Sequence, residues 1–226
     1  MSTWLAFDAG SPVTSAAVAR AGALLAESAG AGRAGPSLLQ QIADCLRRSG
    51  VAAAELDGIV VLSGPGSFTG IRVALATALG LRAALAAPVV SLSNLAALAL
   101  HASPAGRPGP SADLGAGDPP PVLALVDALR DEWFVQQFRF AAGGLVATTA
   151  PDRLAATALV AAPGERLVLH LDQPLPPALA GATVQRAAAL APGVAVAASR
   201  GELAALLSSE LAPLYLRGFT PRNPPG

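Results

Sequence analysis

Lysine is absent from this chain of 226 residues, and all 15 basic side chains are arginine. A Walker-type phosphate loop ends in Lys followed by Ser or Thr, so that class of nucleotide site is excluded. With Cys45 as its one cysteine, the chain cannot form an internal disulfide framework, and the helical pattern of Leu38, Leu39, Ile42 and Leu46 around it predicts a buried thiol. The two histidines, His101 and His170, lack a second His, Cys or acidic ligand at helical spacing, so no metal site is expected. Fifteen acidic residues bring the net charge to zero, which leaves no basic field for direct capture of nucleic acid. Neither a signal-peptide pattern nor an uninterrupted apolar run of membrane-spanning length occurs, so the expected location is cytoplasmic, with no membrane partner.

Apolar residues, by contrast, make up 53% of the chain, enough for a sizeable core in one domain or two compact lobes. The most informative stretch runs from Leu62 to Leu81. Before it, Gly58-Ile-Val-Val-Leu62 reads as a strand covered on both faces. Gly64 and Gly66 flank Pro65 in a tight loop, with Ser67 or Thr69 placed to cap a helix from Phe68 to about Ala87, stopped by Pro88. At about 100° per residue, one side of that helix carries Ile71, Ala74, Leu75, Ala78, Leu81 and Leu85, a core face interrupted by Arg82. Opposite lie Thr69, Arg72, Val73, Ala76, Gly80, Ala83 and Ala84. A glycine inside a helix costs about 1 kcal/mol relative to alanine, so Gly80 points to close packing by another helix, from the same chain or a partner.

Other readings of the glycine loop fail on particular residues. A dinucleotide fingerprint needs G-x-G-x-x-G, whereas Gly64, Gly66 and Gly70 are spaced one residue too long, with no acidic residue at the next strand end. A nucleophile elbow needs glycine two positions either side of its serine, but Ser67 has Pro65 and Thr69 there, so it reads as a cap. Asp131 and Glu132 are adjacent carboxylates that a strand would point to opposite faces, which argues against a paired acid and base. Trp133, Phe134, Phe138 and Phe140 have only Arg130 and Arg139 as basic neighbours and read as a half-buried sheet rather than a base-stacking platform. No nucleophile and base assemble into a peptidase.

Gly64-Pro-Gly-Ser-Phe-Thr-Gly-Ile-Arg72 resembles the hallmark of the bacterial TsaB (YeaZ) family of tRNA threonylcarbamoyladenosine biosynthesis. Three further segments are similar in order and spacing: Leu5-Ala-Phe-Asp-Ala-Gly-Ser11, Val126-Asp-Ala-Leu-Arg-Asp-Glu-Trp-Phe134 and Ala212-Pro-Leu-Tyr-Leu-Arg217. Two departures stand out, Pro36-Ser37 where the family often has His followed by Ser or Thr, and Asp131 where it usually has glycine. The resemblance implies an α/β actin-like ATPase (ASKHA, ribonuclease H-like) two-lobe fold with mixed sheets flanked by helices. It also implies a non-catalytic subunit that activates a TsaD-like transferase acting on adenosine 37 of tRNA. The metal-holding histidines of that relative have no counterpart here. Asp8, Gly10 and Ser11 would then be a vestigial phosphate loop, with no tightly bound cofactor and with ATP and magnesium acting at the level of the complex. Gly64, Gly66, Thr69, Arg72, Val73, Ala76, Gly80, Ala83 and Ala84 would form the partner interface, for a TsaD-like protein in a heterodimer or a second copy in a homodimer. A TsaE-like ATPase would join a larger complex, and tRNA would be met only indirectly. The alternative is a free-standing ATPase or small-molecule kinase using Asp8, Ser11 and Asp127.

Along the chain, three strands, Thr3 to Phe7, Thr14 to Ala19 and Ala23 to Ser28, precede a helix at Pro36 to Ser49, the Ile59 strand, the long helix, a strand at Val89 to Ser91 and a helix from Asn94 to His101. This predicts a first lobe over 1–102. Residues 103–121 hold six prolines and four glycines and read as a linker. A second lobe over 122–226 is expected to pair Val122 to Asp127 with Glu132 to Phe140, turn at Gly143-Gly144 into Leu145 to Thr149, and add a strand at Leu167 to His170. Its last helix, at about Arg200 to Ser208, and its tail pack back on the first lobe.

Overall fold

The computed structural model describes residues 2–31, 34–102 and 119–215, so most of the proline-rich 103–121 stretch lies outside the described residues. β1 (Thr3–Asp8), β2 (Val13–Arg20) and β3 (Ala23–Ala31) form an antiparallel meander. β4 (Gly58–Leu62) joins β1 in parallel and β5 (Val89–Leu92) joins β4, giving the order β3-β2-β1-β4-β5. The parallel crossovers are helical: α1 (Ala34–Ser49) leads into β4, and α2 (Phe68–Ala84) links β4 to β5. α3 (Asn94–Ala99) follows directly.

The second sheet has the order β11 (Val184–Ala187), β10 (Arg166–His170), β6 (Val122–Leu129), β7 (Glu132–Ala141), β8 (Gly144–Ala147), with β9 (Asp152–Ala155) also paired to β7. β6 and β7 are antiparallel neighbours, and β8 returns along β7. β10 lies parallel to β6, and β11 parallel to β10. α4 (Ala191–Ser199) is the last helix among the described residues. The helix expected at 200–208 is instead a series of turns beginning at Gly201, whose φ of 78° continues no helix.

Strand alternation sorts the core into layers. From β1 and β4, Leu5, Phe7, Ile59 and Val61 face α1 and α2, packing with Leu38, Ile42, Cys45, Ile71, Ala74 and Ala78. Their neighbours Ala6, Val60 and Leu62 face the other way, onto α3 and α4, and those helices are covered on their far side by Val122, Ala124, Val126, Phe134, Phe138 and Val168 of the second sheet. One continuous core therefore joins both sheets through α3 and α4. Leu125, Trp133, Leu167 and Leu169 pack with Leu159 and Leu179 on the outer face of the second sheet. Polar ties hold α4 to the first sheet: Ser15 Oγ accepts from Ala191 N at 3.3 Å, and Ser199 Oγ from Gly22 N at 2.8 Å. No helix among the described residues is long and apolar enough to cross a membrane.

Candidate functional site

The ends of β1 and β4 bring the two glycine-containing turns of the sequence against each other. Asp8 is fully buried, and its Oδ1 accepts from Gly10 N at 2.8 Å and Ser11 N at 3.3 Å, closing an Asx-type turn. Asn94, the first residue of α3, donates from Nδ2 to Asp8 Oδ1 at 3.3 Å and to Ser11 Oγ at 3.0 Å. The same amide accepts from Gly64 N at 2.7 Å through Oδ1, while Asn94 N donates to Gly64 O at 2.7 Å. Ser67 N then donates to Gly10 O at 2.8 Å. Burial pushes the Asp8 carboxyl above its ordinary range, against the opposing effect of hydrogen bonds from Ser11, Gly10 and Asn94. Asp8 Oδ2 has no hydrogen-bond partner.

This network explains the glycines. A Cβ at Gly70 would overlap the Ala9 carbonyl, and one at Gly66 the Gly10 carbonyl, so the loop closes over the β1–β2 turn only without side chains there. Gly64 needs its freedom for another reason, a φ of 105°. The glycine loop thus fills the space above Asp8-Ala-Gly10-Ser11, and the Gly10 and Ser11 N–H groups that would cradle a phosphate already donate to Asp8. Asp127, the second aspartate of the kinase-like alternative, accepts from Leu129 N at 2.7 Å and so orders the β6–β7 turn. In that turn Leu129, Arg130 and Asp131 all have positive φ, so Asp131 adopts the left-handed backbone that favours glycine and that Asp tolerates better than most residues.

Above the closed loop stands α2. Ser67 caps it, its hydroxyl accepting from Gly70 N at 3.3 Å. Ile71, Ala74, Leu75 and Ala78 are buried as the periodicity requires, while Leu81 and Leu85 are partly buried and Arg82 points to solvent. Thr69, Arg72, Ala76, Gly80, Ala83 and Ala84 are exposed together. Gly64 is not on this surface, being buried against Ile71, and Val73 turns half inward onto the core behind α2. Nothing lies within 4 Å of a Cβ at Gly80, so no part of the described chain packs there.

Phe68, 56% exposed, extends the face at the start of the helix, and Leu79, 44% exposed, lies within its stripe between Ala76 and Ala83. Tyr215 joins Phe68 from the far end of the described chain, with ring centroids 5.6 Å apart and planes 26° from parallel, and the Arg72 guanidinium sits 4.8 Å from the Phe68 centroid. These contacts escaped the sequence reading because a small-residue pattern hides an aromatic at the helix start and does not reveal a neighbour so distant in sequence.

Two features elsewhere hold buried titratable groups. A cavity of about 610 Å³ opens beside β10 between 159–166 and 178–183, but both oxygens of Glu165, its buried carboxylate, are used, by Gln137 Nε2 and Ala162 N at 2.8 Å each. His101 and His170 are mostly buried, with His101 Nε2 and His170 Nδ1 unpartnered and both imidazoles pushed down to about 4 by burial. No group of three or more His, Cys, Asp or Glu among the described residues is arranged to hold a metal ion.

The sequence pattern of the family described as TsaD, tRNA N6-adenosine threonylcarbamoyltransferase, matches residues 36–202, which include the glycine loop, α2, β4 and β5 of the first sheet and all of the second sheet. The chain belongs to that family. Its likeness to the TsaB (YeaZ) members, read first from Gly64 to Arg72, is borne out. The tRNA threonylcarbamoyladenosine biosynthesis protein TsaB of Haemophilus influenzae is 40% identical over 62 residues, a match spanning 27% of this chain and 26% of that relative. Two solved structures share the fold. YeaZ from Pseudomonas aeruginosa has a TM-score of 0.70 at 24% identity, over 95% of this chain and 100% of that one. A protein titled as similar to peptidase YeaZ from Pseudomonas aeruginosa has a TM-score of 0.71 at 23% identity, over 96% and 100%. The expected α/β fold of two mixed sheets flanked by helices is therefore shown.

Proposed function

We propose that this chain is a non-catalytic subunit of the machinery that makes N6-threonylcarbamoyladenosine at position 37 of tRNA, and that it works by docking on and activating a TsaD-like transferase. The exposed α2 face carries this reading: Thr69, Arg72, Ala76, Gly80 and Ala83 lie along one side of a capped helix whose other side is anchored in the core. Small residues let a second helix approach closely, and ridge-into-groove packing of two such helices sets them about 8–10 Å apart. The transferase supplies the chemistry and most of the contact with tRNA. ATP and magnesium belong to the assembled complex, with a TsaE-like ATPase as a further member, and a second copy of this chain occupies the α2 face when the transferase is missing. The whole acts in the cytoplasm. The closed loop argues against a stand-alone ATPase, because its phosphate-facing donors are committed within the chain.

Gel filtration with light scattering of the chain mixed with the TsaD-like protein of the same source tests this. A one-to-one complex is expected, lost on Ala76→Arg while the monomer stays folded. If no complex forms even with magnesium ATP, and the chain alone binds nucleotide by calorimetry, the scaffold reading falls and the ATPase reading replaces it.

A further inference from the structure

We infer that Phe68, Arg72 and Tyr215 form a preassembled anchor at one end of the α2 face, which takes a carboxylate-bearing helix of the partner protein and makes docking depend on the C-terminal segment. The inference rests on the docking role of α2 proposed above.

The segment that delivers Tyr215 is held at several points. Ser208 pairs with Ser91 at the edge of β5, their backbones exchanging bonds of 2.8 and 3.0 Å, and Ser91 Oγ donates to Glu210 O at 2.8 Å. Further on, Leu214 N donates to Ser63 O at 2.8 Å, and Leu214 O lies beside Gly64. The chain is thus tied across the ends of β5 and β4 before Tyr215 reaches Phe68. Although the Tyr215 ring meets Phe68, it remains 49% exposed. Two large rings left half in water on one surface are costly unless a partner covers them, and tyrosine and arginine are the residues that most often carry binding energy at the centre of an interface.

Charge identifies the occupant. Arg72 is exposed and oriented over Phe68, yet among the described residues it makes no ion pair. A guanidinium stacked on a ring keeps its edge free for two-point hydrogen bonding to a carboxylate. RNA is disfavoured as the occupant, because a phosphate backbone calls for a row of cations, whereas the face continues from Arg72 through Ala76, Leu79, Gly80 and Ala83. An acidic residue followed along its helix by apolar ones matches the sequence of surfaces: cation and rings first, small residues after.

The test measures affinity of the full chain for the TsaD-like protein, without RNA, by calorimetry at several salt concentrations. Tyr215→Ser should weaken binding about thirtyfold, the loss typical of an interface hot spot, whereas Tyr215→Phe keeps the stack and binds like the parent chain. Arg72→Gln should weaken binding and flatten its salt dependence, because the lost term is a charge pair. Melting temperatures of the isolated variants should stay within about 2 °C of the parent, as expected for exposed substitutions. Parent-like affinity in both Tyr215→Ser and Arg72→Gln, with Ala76→Arg still abolishing the complex, would overturn the anchor while leaving α2 docking intact. Failure of the parent chain to bind would instead overturn the docking role itself.

Discussion

Replacing Gly80 with leucine should move stability and assembly in opposite directions. Gly80 lies inside α2, and a Cβ there meets nothing within 4 Å. In such a position glycine is about 1 kcal/mol worse than alanine, and leucine is close to alanine, so Gly80→Leu should stabilise the isolated chain by about 0.7 kcal/mol. For a chain of this size that is a rise of about 2 °C in melting temperature. The same side chain protrudes where the proposed partner helix must approach, and overpacking a close helix contact costs on the order of 1–3 kcal/mol, roughly a fivefold to 150-fold loss of affinity. Gly80→Ala supplies an intermediate step, with the stability gain and a smaller binding loss. Scanning calorimetry at low protein concentration measures the first effect without a contribution from self-association, and light scattering of the mixture with the TsaD-like protein measures the second. A lowered melting temperature would show that the position is packed, and an undisturbed complex would show that the partner does not sit there. Either result refutes the reasoning.

Acid should destabilise the fold through its histidines. His101 and His170 are lowered from 6.5 to about 4 by burial, so the unfolded chain takes up protons first and stability is lost as pH falls from 6.5 towards 4, by about 2 kcal/mol per histidine at pH 5. Burial of Asp8 and Glu202, which raises both carboxyls, acts the opposite way and offsets part of the loss. Urea unfolding at pH 7 and pH 5 should show the drop, and a His101→Leu/His170→Leu chain with the same pH slope would contradict its origin. Gly70→Ala drives a methyl into the Ala9 carbonyl, so its urea midpoint should fall by the equivalent of about 3 kcal/mol, and an unchanged midpoint would mean that the loop does not close over the turn. Asp8→Ala strands the donors of Gly10, Ser11 and Asn94 and should cost about 2 kcal/mol or more, whereas Asp8→Asn keeps an acceptor without a buried charge and should be tolerated at pH 7. Equal losses in the two would argue that the aspartate acts as an anion.

Part of the first sheet was readable because β4, Gly58-Ile-Val-Val-Leu62, is a short β-branched run buried on both faces and the helix that follows it places Ile71, Ala74, Leu75 and Ala78 at helical spacing on its buried side. The second sheet was less so. β11 pairs through Val184-Gln-Arg-Ala187, whose composition carries no strand signal, and is fixed by parallel pairing with β10. α4 begins Ala191-Pro-Gly, with Pro and Gly in its first turn and no element expected there, yet Ala191, Val194, Ala195 and Ala198 are buried between the sheets, so packing overrides weak local propensity. The reverse error occurred at 200–208, where Glu-Leu-Ala-Ala-Leu-Leu favours a helix but the chain turns to reach the edge of β5. At the site, spacing offered Ser67 as a cap and separated the two faces of α2, but that the small-residue face is open at Gly80 is seen only in the fold. The Asp8–Asn94–Gly64 network did not, because it joins three turns that only the closed sheet brings together.

The continuous core through α3 and α4 bears on mechanics. Two-lobed enzymes that open and shut around a ligand bend at a thin connection between lobes. Here any relative rotation of the sheets would pull Val60 and Leu62 away from the helices that also contact Val126 and Phe134, exposing the interior to water. The chain is therefore a stiff body, and in the assembly proposed above any bending falls at the joint with the partner rather than between the two sheets.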